Sequence, residues 1–323
     1  METELLYRGR GQRSASTASS SNVEQSLGDS PAGYVADESL ADAVNTAIFL
    51  RQPLLVMGEP GTGKTQLAYS IAWEFGLPLH TFNTKMNSAG TDLFYRYDSL
   101  LHFHDTQILK EKKSPSKYVQ YAALGKAILF SNPPSKVAEF LPENLQQSHT
   151  QPTRSVVLID EIDKAPRDFP NDILAETENL TFDVRETGWS ISANPDLRPI
   201  LVFTSNQERN LPEAFLRRCI FYFIPFPKES DLREIVRRRL SGTHDAAIRK
   251  FLDIRRDDQL VKKPATAELI AWLRVLQQKE IGSAEISQGS EQLSRTYSVL
   301  LKNKEDFERY VNSERNRAKA NAV

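Results

Sequence analysis

The sequence predicts an open α/β sheet with helices on both faces, followed by an all-helical C-terminal domain. Three observations predict it. Short apolar runs, PLLVMG, LHTFNT, VVLID (156–160) and ILVFTS (200–205), read as buried parallel strands. Amphipathic stretches of helical spacing lie between them, which is the alternation of an α/β fold. From Asp231 onward the strand signals stop, and DLREIVRRRL, AAIRKFLDI, TAELIAWLRVLQ and EDFERYV all read as helices.

Taken in order, residues 9 to about 33 are rich in Gly, Ser and Ala and poor in large apolar side chains. They cannot bury enough surface to offset their ordering entropy. Residues 1–33 are therefore expected to be a flexible tail. Order is expected from Tyr34, with ESLADAVNTAIFL as a helix through Leu40, Val44, Ala47 and Ile48. TQLAYSIAWEFG follows the first strand as a second helix ending at Gly76. ILFSN (128–132) fits either a helix end or a strand. TFDVRETGWSISANPDLRP (181–199) reads as a hairpin. The expected domains are 34–228 for the α/β part, 229–312 for the helical part, and 313–323 as a fraying tail.

Bulk composition bounds the function. The 323 residues hold 41 basic and 42 acidic side chains, so the basic excess of a nucleic-acid binder is missing. With 40% hydrophobic and 26% charged residues the chain is ordinary for a globular protein. Cys219 is the only cysteine, which forbids an intramolecular disulfide and favours a reducing compartment. No apolar run suits a membrane span and no apolar signal core opens the chain, so the cytoplasm is expected.

The chemistry concentrates in GEPGTGKT, which fits G-x-x-x-x-G-K-[ST] through Gly58, Gly63, Lys64 and Thr65. It lies between a strand and a helix. Gly58, Glu59, Pro60, Gly61, Thr62 and Gly63 are expected to turn backbone N–H groups toward phosphate oxygens, which a Cβ would obstruct. The helix dipole acts on the same anion. Lys64 is expected at the β- and γ-phosphates, and Thr65 at Mg²⁺.

SVVLIDEID places Asp160 and Glu161 at the carboxyl end of a strand, where open α/β sheets bind ligands. Asp160 is the expected partner of Mg²⁺, and Glu161 is placed to polarise the attacking water. Asp163 and Lys164 read as structural or interfacial, with a solvated helix start the favoured form. Asn206, after the strand ILVFTS, can donate to phosphate and accept from water. Arg217 and Arg218 follow LPEAF. They either belong to a solvated face or supply an arginine finger to the γ-phosphate of a neighbouring subunit.

GEPGTGKT, VVLIDEID, VFTSN and LPEAFLRRC, in this order, resemble the AAA+ ATPases over residues 35 to 300. Within them the chain looks most like the MoxR-type group, on LLVMGEPGTGKT, DEIDKAP and LPEAFLRR with CIFYFIPFP. The resemblance implies a P-loop NTPase sheet with a helical lid, ATP and Mg²⁺ as cofactors, and self-association into a ring, commonly a hexamer. It makes Arg218, which precedes Cys219, the favoured finger, with Arg217 second. Lys64 and Asp160 are 96 residues apart, and the excess in 86–150 fits an insertion within helix 2. One departure is that Ala267 stands where many members carry a lid arginine contacting the γ-phosphate. Lys262 or Lys263 would have to substitute.

Other features are weaker. His102 and His104 form an H-x-H without a companion cluster, so metal is disfavoured. Phe94, Tyr95, Tyr97 and Phe103 suit an aromatic helix packing on the core, or lining a ring pore that grips polypeptide. LKEKKSPSK (109–117) reads as a solvated loop rather than a nucleic-acid patch, and RRRL (237–240) as a subunit-contact or solvated face. Three functions remain: a chaperone-like remodeller of a protein client, such as one with a von Willebrand A partner; an ATP-gated regulatory or defence component with slow hydrolysis, favoured by the missing lid arginine; and a nucleic-acid-directed ATPase, disfavoured by the neutral charge.

Overall fold

The structure is a computed structural model and describes residues 6–12, 30–110 and 113–320, with side chains to Glu314 at the C-terminus. The chain divides into two compact units. The first holds residues up to 32, 36–57 and 64–223; the second holds 33–35, 58–63 and 224–323.

The first unit is built on a five-stranded sheet. Its strands are β1 (Leu54–Gly58), β2 (Leu79–Asn83), β5 (Val156–Asp160), β8 (Ile200–Ser205) and β9 (Ile220–Ile224), ordered β2-β5-β8-β1-β9. The pairs β1·β8, β5·β8 and β2·β5 are parallel. β5 and β8 are central, and both read as unbroken apolar runs because each face of such a strand is covered. Leu55, Val157, Ile159, Leu201 and Phe203 carry one side of the sheet into the main core.

Helix α1 (Glu38–Leu50) starts where Asp37 accepts the Leu40 N–H at 2.7 Å, an N-cap. Helix α2 (Lys64–Phe75) buries Leu67, Ala68, Ile71 and Phe75 at helical spacing. It stops at Gly76, whose φ of 63° suits a residue without a Cβ.

Two small antiparallel ladders complete the unit: β3 (Tyr95–Tyr97) with β4 (Val119–Tyr121), and β6 (Thr181–Val184) with β7 (Trp189–Ser192). The second is the hairpin expected within 181–199. ILFSN resolves in favour of helix, since Ala123–Phe130 is helical and Ser131 caps it. The aromatic segment is not one helix. Phe94 and Tyr95 are buried beside Phe182, Tyr97 lies in β3, and only Phe103 is exposed, on the short helix Ser99–Phe103. Of the basic stretch 109–117, residues 111 and 112 lie outside the described residues.

The described part of the N-terminal segment departs from the expected tail. Tyr7 is 1% exposed, and its hydroxyl lies 2.8 Å from Ser70 Oγ on α2. Asn45 pairs with both backbone groups of Tyr7, and the buried Glu74 carboxylate accepts the N–H groups of Arg8 and Gly9. One aromatic anchor and a set of backbone bonds therefore order a stretch too polar to show helix or strand periodicity. The Ser-rich residues 13–29 of that expected tail lie outside the described residues.

The second unit is mostly helical: Glu229–Arg239, Asp245–Arg255, Thr266–Gln278 and Lys304–Ala320, with shorter helices between. Leu232, Phe251, Leu269, Trp272 and Tyr297 form its core. The last helix passes the expected boundary at 312 because Glu314, 1% exposed, is held by Lys250. Residues 321–323 of the expected tail lie outside the described residues.

Candidate functional site

The phosphate-loop residues make a tight turn between β1 and α2. Gly61 and Gly63 have φ of 77° and 94°, a region that costs an L-residue about 1–2 kcal/mol. A Cβ on Gly61 would also lie 2.6 Å from that of Ala265. Thr62 Oγ1 donates to the Glu59 carbonyl at 2.9 Å and tightens the turn. Lys64 and Thr65 open α2, where the first N–H groups of a helix lack intrahelical acceptors. Pro60, between Glu59 and Gly61, lacks an N–H and lends the loop a fixed φ.

In the first unit, the ends of β5 and β8 and the start of α2 bring four predicted residues, Thr65, Asp160, Glu161 and Asn206, into two linked groups. Asp160 is the hub of the first. Its Oδ1 accepts from Thr65 Oγ1 at 3.0 Å and from Thr204 Oγ1 at 2.5 Å, and its Oδ2 is 3.2 Å from Thr65 Oγ1. Glu161 is the hub of the second. It adopts φ 55° and ψ 51°, the left-handed region, which a bulky side chain enters only when its surroundings hold it there. The holding bonds are visible. Its N–H donates to Thr204 Oγ1 at 2.8 Å, its Oε1 accepts from Asn206 Nδ2 at 3.0 Å, and its Oε2 accepts from Lys164 Nζ at 2.5 Å. Hydrogen bonding to Glu161 raises the pKa of Lys164.

Asn206 is itself oriented from below. Asp163, 2% exposed, accepts the backbone N–H groups of Asn206 and Glu208 at 3.1 and 2.9 Å. Asp163 is therefore a buried structural residue rather than part of a solvated helix start, and Lys164 pairs with Glu161. Thr204 was not singled out either. No sequence signal marks it, because its bonds to Asp160 and Glu161 are set by the order of β5 and β8 in the sheet.

Asp160 and Thr65 present a carboxylate and a hydroxyl oxygen side by side, the donor set a hard divalent cation such as Mg²⁺ takes. The residues present thus fit that ion.

Arg217 and Arg218 are not gathered into this cluster. Arg217, exposed, pairs with Glu213; Arg218 donates to Glu178 at 3.3 Å and to the Ala214 carbonyl at 3.0 Å.

In the second unit, Ala267 is exposed in the first turn of Thr266–Gln278. Of its possible substitutes, Lys262 is exposed and Lys263 pairs with Asp258 at 3.0 Å. Arg255 was missed. It is buried, pairs with Glu59 of the phosphate loop, donates to the Pro264 carbonyl at 2.7 Å and covers the Phe226 ring at 3.5 Å. Nothing in AAIRKFLDIR separates it from its solvated neighbours, because its role depends on partners far along the chain.

The two histidines go to local packing. His102 Nδ1 lies 2.9 Å from the Tyr97 hydroxyl, and His104 is beside Asp105. Among the described residues, no helix is long and apolar enough to cross a membrane.

No curated protein matches the chain. The solved structures similar to it include RuvB of Thermotoga maritima, described as a Holliday junction branch migration motor. That match has 17% identity over 81% of this chain and 67% of that one, with a TM-score of 0.44. A proline-to-glycine mutant of the same protein gives 18%, 81%, 68% and 0.46, and a threonine-to-valine mutant 17%, 81%, 67% and 0.44. Residues 53–219 match the family model described as AAA domain, dynein-related subfamily. That span is more than half of the chain and runs from β1 to the residue after the paired arginines, so the chain belongs to the dynein-related AAA family and carries the P-loop NTPase fold of AAA+ proteins.

Proposed function

We propose that this chain binds ATP with Mg²⁺ and hydrolyses it, and that it works as a MoxR-like, ring-forming remodeller or activator of a protein client in the cytoplasm. The observation that carries the reading is the double grip on neighbouring carboxylates: Thr65 and Thr204 on Asp160, Thr204 and Asn206 on Glu161. A structural acidic pair would need no such division of labour. One carboxylate is turned toward the hydroxyl that opens α2, and the other is kept where a base is wanted.

The loop N–H groups and Lys64 bind the phosphates. Thr65 and Asp160 would hold Mg²⁺, which when bound would supply charge neutralisation at the transferred phosphoryl group. Glu161 accepts the proton of the attacking water, and Asn206 orients Glu161 and the water through its amide. Arg218, exposed and tied among the described residues to a surface carboxylate and a carbonyl, can exchange those partners for the γ-phosphate of a second copy. Arg217 is the alternative finger. A client with a von Willebrand A domain, and the 86–150 segment as the helix-2 insertion, belong to the same reading.

The test is a pair of variants. Glu161→Gln should abolish phosphate release while a fluorescent ATP analogue still binds, and Lys64→Ala should abolish binding. Unchanged turnover in Glu161→Gln would sink the assignment of the base. A second reading, an ATP-gated regulatory component with slow hydrolysis, is favoured by Ala267 and the engagement of Lys263 with Asp258. Single-turnover rates far below one per minute in the assembled protein would promote it.

A further inference from the structure

We propose that a cleft beside the loop after β8 is a binding site for a free α-amino acid with an apolar side chain. The cleft lies wholly in the first unit, between residues 162–170 and the loop 209–212. Its volume of about 480 Å³ is within the range of small-molecule sites. None of its chemistry depends on nucleotide or on hydrolysis.

Asp163 is the most buried polar residue lining the cleft, at 2% exposed, and its two oxygens are unequal. Oδ2 accepts the N–H groups of Asn206 and Glu208 at 3.1 and 2.9 Å. Oδ1 has no hydrogen-bond partner among the described residues. A buried carboxylate with an open oxygen is costly until a donor meets it, and a cation meets it best. Lys164, the next residue, is committed to Glu161. An ammonium group entering the cleft supplies both the donor and the charge.

The opposite charge is also present. Arg167 and Arg209 line the same cleft, and both are exposed. Arg209 donates one N–H to the Ala165 carbonyl at 3.3 Å, which leaves the rest of its guanidinium fork. Arg167 has no hydrogen bond or ion pair among the described residues. Two planar forks of this kind suit a carboxylate. Pro170, Leu211 and Pro212 give the cleft an apolar wall. An ammonium, a carboxylate and an apolar side chain on one small carbon frame match all three features. A purely anionic ligand would face the Asp163 charge, and a simple amine would leave the arginines unmatched.

Isothermal titration of the full chain with leucine tests the site. Leucine should bind with a dissociation constant on the order of 0.1–1 mM. On the same protein, N-acetyl-leucine, which lacks the ammonium, and leucinamide, which lacks the carboxylate, should each bind at least about tenfold more weakly. Glycine, which leaves the apolar wall uncovered, should lose about tenfold as well. These comparisons change the ligand and leave Asp163, which also holds Asn206, untouched. Arg167→Gln combined with Arg209→Gln should weaken leucine at least about tenfold with the urea midpoint unchanged, since both side chains are exposed. If the double variant unfolds, the ligand series on the unsubstituted protein decides. No saturable heat with leucine up to about 10 mM overturns the proposal and assigns Oδ1 to a bound water. Equal binding of N-acetyl-leucine, leucinamide or glycine, or undiminished binding to the folded double variant, overturns it too.

Discussion

Thr204→Val is the most informative single change to the site. Thr204 is fully buried in β8 and its hydroxyl does two things at once: it donates to Asp160 Oδ1 at 2.5 Å and accepts the Glu161 N–H at 2.8 Å. Valine keeps the shape and removes both bonds. A bond to a charged acceptor contributes about 1.5–3 kcal/mol and a neutral one about 0.5–1.5 kcal/mol. Asp160 retains Thr65, which returns part of the first loss. The expected destabilisation is therefore about 2–4 kcal/mol by urea denaturation, with an unchanged m-value. The rate should fall further than the stability suggests, because each 1.4 kcal/mol of lost alignment at Asp160 and Glu161 is about tenfold in kcat. Thr204→Ser, which keeps the hydroxyl, is the control and should recover most of both. A Thr204→Val protein within about 0.5 kcal/mol of the original, with unchanged turnover, would refute the argument that this hydroxyl organises both carboxylates.

Three other outcomes follow from the same geometry. Gly61→Ala should abolish binding of a fluorescent ATP analogue and destabilise the protein by about 1–2 kcal/mol, because the residue has φ 77° and no room for a Cβ beside Ala265. Tyr7→Phe should lower stability by about 1–2 kcal/mol, since it strands the buried Ser70 hydroxyl; Tyr7→Ala should cost about 3–5 kcal/mol, read as an earlier urea midpoint. His80 gives a pH signature: burial, with Lys126 nearby, lowers its pKa from 6.5 to about 4. Between those values the unfolded chain binds a proton that the folded one does not, so stability should decline as pH falls from 6.5 toward 4. His80→Phe should flatten that part of a denaturation-midpoint profile.

The sequence alone determined the sheet, the phosphate loop and the acidic pair. Each is written in contiguous residues whose pattern has a local cause. β5 and β8 show as apolar runs because both faces are covered, and GEPGTGKT shows because its backbone needs glycine at 61 and 63. Tertiary structure alone decided which neighbours complete those residues. Thr204 joins Asp160 to Glu161 across two strands that lie 44 residues apart in the chain. Arg255 meets Glu59 from 196 residues away. Tyr7 anchors an otherwise polar segment on α2 from 63 residues away. Periodicity reports which face a residue presents to a core, over a few turns. It carries no information about a hydrogen bond whose partner is set by strand order, and that is where the grip on Asp160 and Glu161 is made.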